Sequence, residues 1–116
     1  LFQNLNKKMK SVIICDMEGV IKEMNNGALE MFGYSKDELV GIKRVSIFSP
    51  GEIVIQNVLG WLEEANKQGK SIVKTNFVRK DGSYFNAEII ITPNFANGKI
   101  NLKLATVVLQ KRLKKM

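Results

Sequence analysis

The sequence contains no histidine, a single cysteine and two prolines. Without histidine no side chain ordinarily changes charge between about pH 5 and 8, and neither a Ser-His nor a Cys-His nucleophile can be assembled. The lone Cys15 excludes an internal disulfide and a multi-cysteine metal site. Long apolar runs are absent too. None approaches the roughly 20 residues a membrane span needs, and the basic start lacks the apolar run of a signal peptide. Phosphate-cradling glycine loops and metal-ligand spacings are missing as well. Of the acidic pairs, Glu63-Glu64 would diverge on a helix, and Asp37-Glu38 suits a helical first turn, where negative charge favours the dipole. These gaps point away from a self-sufficient enzyme and toward a non-catalytic domain in a reducing, cytoplasmic setting.

What is present describes one domain. The 116 residues are 45% hydrophobic and 25% charged, near the globular average and enough for a single packed core. The net charge of +7 sits at the ends: Lys7, Lys8 and Lys10 near the start, Lys111, Arg112, Lys114 and Lys115 at the finish. The remaining eleven basic residues match eleven acidic ones, so the middle is neutral. A nucleic-acid binder usually carries its positive stripe on the folded surface, so this distribution predicts no nucleic-acid partner.

Leu1, Leu5 and Met9, with Phe2 beside them, predict an amphipathic flanking helix over residues 1–10, too short to stand alone. Ser11 to Cys15 and Val20 to Met24 predict a hairpin about Asp16-Met17-Glu18-Gly19. Asn25-Asn26 offers N-cap oxygens for a short helix that Gly33 ends, and Ser35-Lys36-Asp37-Glu38 is a capping box for one further turn before Gly41. Ser49-Pro50-Gly51-Glu52 opens a longer helix reaching Gly69, with Val54, Val58, Trp61, Leu62 and Ala65 on one face and Gly60 suggesting a close approach. Ile72 to Arg79 and Tyr84 to Thr92 predict strands joined at Asp81-Gly82. The second carries Phe85, Ala87, Ile89 and Ile91 on one face, with Tyr84, Asn86 and Glu88 on the other. Pro93 reads as its end, Asn97-Gly98 as a turn, and Ile100 to Leu109 as the last strand. Residues 111–116 read as the start of a basic C-terminal linker helix, cut short. The class is α+β: one curved antiparallel sheet with short helices and one longer helix on a single face.

The stretch Asn26-Gly27-Ala28-Leu29-Glu30-Met31-Phe32-Gly33-Tyr34-Ser35-Lys36-Asp37-Glu38-Leu39-Val40-Gly41 resembles the asparagine–alanine, phenylalanine–glycine–tyrosine, glutamate–leucine–glycine signature of PAS domains. Arg79-Lys80-Asp81-Gly82 is similar to the turn between that family's third and fourth strands, and element order agrees over about Ser11 to Gln110. The resemblance implies a PAS domain over residues 11–110, with a five-stranded antiparallel sheet in the order 2-1-5-4-3 cupping a cavity beneath its helices. It also implies a sensory module. Flanking helices would pair two copies and relay changes to an output domain, such as a histidine kinase of a two-component system, a cyclase or a transcription factor. One departure stands out: where many members end the last strand in aspartate–isoleucine–threonine, this chain has Val107, Val108 and Leu109.

The same resemblance frames the cofactor candidates. Oxygen sensors of the family hold haem through a histidine on the long helix, and this chain has none. Light sensors form a flavin adduct on a cysteine in an asparagine–cysteine–arginine motif, and the matching Lys43 to Phe48 lacks it. Haem and covalent flavin are therefore not expected. A non-covalent flavin stays open, since Trp61 could stack on its ring, although strand alternation turns Asn86 to the other side. An apolar ligand is the alternative, lined by Phe32, Val45, Ile47, Phe48, Val58, Trp61, Leu62, Phe77, Ile89 and Ile91. That list equally describes a filled core in a domain serving only dimerisation or protein interaction. Leu1, Phe2, Leu5 and Met9 form the candidate contact with the outer sheet face or with a second copy. Two rival classes make demands that these residues do not meet. A small cone-shaped α+β enzyme needs ionisable groups at pocket-facing positions, which carry none here, and a nucleic-acid adaptor needs the two basic flanks to act together.

Overall fold

The computed structural model describes residues 11–49, 55–96 and 99–111. Along the chain run β1 (Ser11–Asp16), β2 (Ile21–Met24), α1 (Asn26–Phe32), α2 (Lys36–Leu39), a 3-10 helix (Val45–Phe48), α3 (Ile55–Gln68), β3 (Ser71–Val78), β4 (Tyr84–Ala96) and β5 (Lys99–Lys111). The strands form one sheet in the order β2-β1-β5-β4-β3, every pair antiparallel. This is the expected architecture.

Register decides which residues meet. Ile13 lies opposite Val107, which lies opposite Ile91, and Leu109 lies opposite Ile89. All five are buried on the face that α1 and α3 pack against. On the other face Val12, Val108, Ile90 and Ile72 stand in one row across four strands, half-buried to exposed. Alternation with period two separates the two sets.

Side-chain oxygens hold the local turns. Asp16 Oδ1 accepts from the N–H groups of Glu18 and Val20, both at 2.9 Å, which fastens the β1–β2 turn. Asn25 does more. Its Oδ1 accepts from Ala28 N–H at the start of α1 and from Val12 N–H in β1, each at 2.9 Å. Its own N–H donates to the Val12 carbonyl at 3.1 Å. One amide thus caps a helix and ties it to the sheet. At the far end of α1, Gly33 adopts φ 84°, a left-handed conformation that favours glycine. There Arg79 Nε–H donates to the Met31 carbonyl at 3.0 Å and Lys80 N–H to that of Phe32 at 2.9 Å, so the β3–β4 turn closes the helix. The expected capping box forms at Ser35, whose N–H donates to Glu38 Oε1 at 2.8 Å. Lys80 Nζ also bonds that carboxylate, and with Ser35 holds it below the ordinary glutamate range.

Several boundaries differ from expectation. β4 does not stop at Pro93 but runs to Ala96, with a register shift between Pro93 and Asn94. By Pro93 the β3 partner has ended, since its last pair is Ser71 with Ile91, so β4 has become an edge on that side while Pro93 still stands opposite Ala105 of β5. Val20 forms an isolated bridge to Arg44 rather than opening β2. Lys111, expected to begin a helix, is the last residue of β5 and pairs with Ala87. Gly60 is exposed, and nothing lies within 4 Å of where a Cβ would stand, so it makes no close approach. The 1–10 helix, Pro50 to Val54, Asn97-Gly98 and residues 112–116 lie outside the described residues.

Replacing Asn25 by Ala should therefore cost about 1–3 kcal/mol, because it orphans Val12 N–H as well as the helix cap. Asn25→Asp keeps the acceptor and should lose less than half as much. Urea unfolding of the two variants checks this; equal losses would show that the shared oxygen is not the source.

Candidate ligand cavity

The helical period places Val58, Leu62 and Ala65 of α3 inward, all nearly inaccessible. Strand alternation brings Ile13 from β1, Phe77 from β3, Ile89 and Ile91 from β4, and Val107 and Leu109 from β5 to meet them. With Phe48 from the 3-10 helix and Val45, Ser49 and Trp61, these residues other than Ala65 enclose a cavity of about 30 Å³.

Eight of the ten candidates read from sequence stand in this wall: Val45, Phe48, Val58, Trp61, Leu62, Phe77, Ile89 and Ile91. Phe32 and Ile47 do not. Phe32 is fully buried behind Phe48, stacked on it with ring centroids 3.9 Å apart and planes 14° from parallel. Ile47 is half-buried and packs against the core elsewhere. Trp61 is half-buried, at the margin of the helix's inner stripe. Four wall residues were missed: Ile13, Ser49, Val107 and Leu109. The alternation of Val107 with Leu109 carried the signal for two of them, but which strands lie beside β4 is needed before it can be used.

Among the described residues the wall carries no ionisable side chain, and its polar groups are the Ser49 hydroxyl and the Trp61 indole N–H. Rings fill the adjoining space. Phe77 meets Phe32 edge-on at 5.8 Å, Phe85 lies 5.5 Å from Phe32, and Tyr34 lies 5.9 Å from Phe48. Asn86, weighed as a flavin partner, is exposed on the opposite sheet face, across from Asn76.

Nearby groups are chemically committed. Cys15 is fully buried, and burial, aided by the neighbouring Asp16 charge, pushes its thiol up to about 12. A more open groove of about 440 Å³ beside Phe32, Gly33, Arg79, Lys80 and Asp81 contains two cations. Arg79 already bonds Met31 and Ser83 and covers the Phe85 ring at 4.3 Å, while Lys80 holds Glu38. No helix among the described residues is long and apolar enough to cross a membrane.

Comparison with known proteins agrees with the fold. A family model described as PAS domain matches residues 9–110. An uncharacterised protein of Azorhizobium caulinodans is 25% identical over 99 residues, covering 82% of this chain but only 14% of its own length. The PAS domain of an HTR-like protein from Haloarcula marismortui superposes with a TM-score of 0.75 at 15% identity, covering 96% of this chain and 94% of that one. A PAS domain in complex with ethanol, from a LuxR-family transcriptional regulator of Burkholderia thailandensis, gives 0.72 at 11% identity and 95% coverage of both.

The buried thiol makes a pH prediction. Its proton is held more tightly in the folded chain than in the unfolded one, whose thiol titrates near the ordinary value of 9.0. Above that pH the unfolded state loses the proton first, so stability is full below about pH 9 and falls as pH rises toward 12, at most tenfold in the folding constant per unit. A Cys15→Ala variant should show a flatter alkaline slope in denaturant titrations. Identical slopes would mean that the thiol does not control it.

Proposed function

The chain belongs to the PAS domain family, and from that premise we propose that it is a sensory module relaying cavity occupancy through its flanks to an output domain. One observation carries the reading. Ile13, Val107 and Leu109 line the cavity, and they sit on β1 and β5, the two strands that bear the flanks. Ser11 pairs with Leu109, so both flanks leave the sheet side by side. A molecule entering the wall therefore presses on the backbone from which both flanks depart. Differential affinity for two arrangements of that pair is what a relay requires. The ethanol complex of the Burkholderia relative supports a small-molecule occupant within this fold. The parent would be a cytoplasmic signalling protein, and this domain would do no catalysis of its own.

Dimerisation belongs to the same proposal. The outer row Val12, Val108, Ile90 and Ile72 spans about 14 Å at ordinary strand spacing. If residues 1–10 form the helix that their spacing predicts, the Leu1, Phe2, Leu5, Met9 stripe would run about 12 Å, close to the row in length and alike in chemistry. Two copies joined through these surfaces would bury both.

Filling the cavity tests the relay. Val58→Leu adds one methylene where the wall leaves room, and should shift the amide resonances of Ser11, Val12, Val108 and Gln110 more than those of β2. Shifts confined to the wall itself would contradict the relay. Light scattering should find a dimer for the full chain and a monomer after removal of residues 1–10. A monomer in both cases would remove the pairing.

A further inference from the structure

We propose that the outer edge of β3 is a docking edge for an extended, acidic segment of a partner protein, which adds to the sheet as a further strand. The inference is independent of the cavity and goes beyond the sensory reading. It starts from a difference between the two ends of the sheet. At one end β2 is four residues long, and its pairing with β1 is interrupted by a register shift between Ile14 and Cys15. Its outer side is already taken. Ile21 N–H donates to the Lys43 carbonyl at 2.9 Å, Gly41 N–H donates to the Ile21 carbonyl at 2.7 Å, and Val20 bridges to Arg44. At the other end β3 has none of these protections. It is eight residues long, contains no proline and holds one unbroken register against β4. An open, regular edge is a template for another strand.

The turn decides which backbone groups are offered. Arg79 N–H donates to the Ser83 carbonyl at 2.8 Å, which makes that pair the hydrogen-bonded kind. Alternation gives the same kind to Phe77 with Phe85, Thr75 with Ala87 and Val73 with Ile89. The N–H and C=O groups of Ile72, Lys74, Asn76 and Val78 therefore point away from β4. Among the described residues they meet no backbone partner, and the Asn76 carbonyl accepts from the Thr75 hydroxyl at 3.5 Å.

Charge names the partner. Lys74 is exposed in the middle of the strand and Lys70 is exposed just before it, and neither forms an ion pair among the described residues. Glu88 stands opposite Lys74 on β4, so a carboxylate on the open side would continue the alternation of sign across the sheet. Between the two lysines lies Ile72, 54% exposed. Side chains on one face recur every second residue, so the complementary antiparallel segment reads acidic-x-apolar-x-acidic, its apolar residue opposite Ile72. A second copy of β3 would instead bring its own lysines to this edge, where like charges repel.

The test uses the full chain and a peptide blocked at both ends, Thr-Asp-Thr-Val-Thr-Asp-Thr, beside a form with lysine in place of aspartate. The aspartate peptide should shift the amide resonances of Ile72, Lys74, Asn76 and Val78, slow their hydrogen exchange and saturate with a Kd below about 1 mM. The β2 amides should stay unmoved, and the lysine peptide should do nothing. Lys74→Glu should weaken binding at least about fivefold. A peptide methylated on the alternate backbone nitrogens that would face β3 keeps its charges and should not bind. Should it bind as well as its parent, charge alone holds the segment and the added strand is wrong. Equal binding of the two charge forms overturns the acidic partner, and no shift at β3 overturns the docking edge. Broadening of the same amides with protein concentration, in the absence of peptide, would make a second copy the occupant and overturn the proposal too.

Discussion

The pairing of β1 with β5 is the constraint on which the rest of this domain depends. The first strand described and the last run antiparallel in the centre of the sheet, Ser11 against Leu109 through Asp16 against Leu104. Neither half of the sheet is complete without that contact: β2 hangs on one side of it, β4 and β3 on the other. It joins residues from opposite ends of the sequence, so it must overcome a large loop-closure entropy before the core rewards it. The same contact brings Ile13, Val107 and Leu109 to one side of the cavity and sets Ser11 beside Leu109.

Around that pair, residue size decides how near the helices come. Cys15 and Ala105 face each other across β1 and β5, and with Ala28 of α1 all three are fully buried. Small side chains there let α1 lie close to the sheet, which makes Cys15 a packing residue with an inert thiol. Farther along the same strands the residues are larger and the space above them is not entirely filled. The departure from the family's aspartate–isoleucine–threonine ending has a physical reason in this chain. Val107 and Leu109 point into the apolar wall, where a carboxylate at position 107 would be buried without a partner.

Much of this was legible in the sequence because it is local. The asparagine cap, the Ser35–Glu38 box, the Gly33 stop and the alternation of Phe85, Ala87, Ile89 and Ile91 each follow from neighbouring residues alone. What was not legible is relational. Pro93 read as a strand end because nothing local says that β3 has already stopped beside it. Phe32 read as pocket lining, but its ring lies behind Phe48, an ordering fixed only by how α1 meets the 3-10 helix. That Ser11 and Leu109 stand side by side, 98 residues apart in the chain, is likewise visible only in the register. Ile13, Val107 and Leu109 joined the site only once β1 and β5 were known to be neighbours.

Native-state hydrogen exchange measures the central pairing most directly. If β1 and β5 hold the domain together, the amides bonded between them exchange only when the whole chain unfolds, with an opening free energy equal to the global stability. Exchange of those amides through a cheaper local opening, while the β3–β4 amides stay protected, would contradict it.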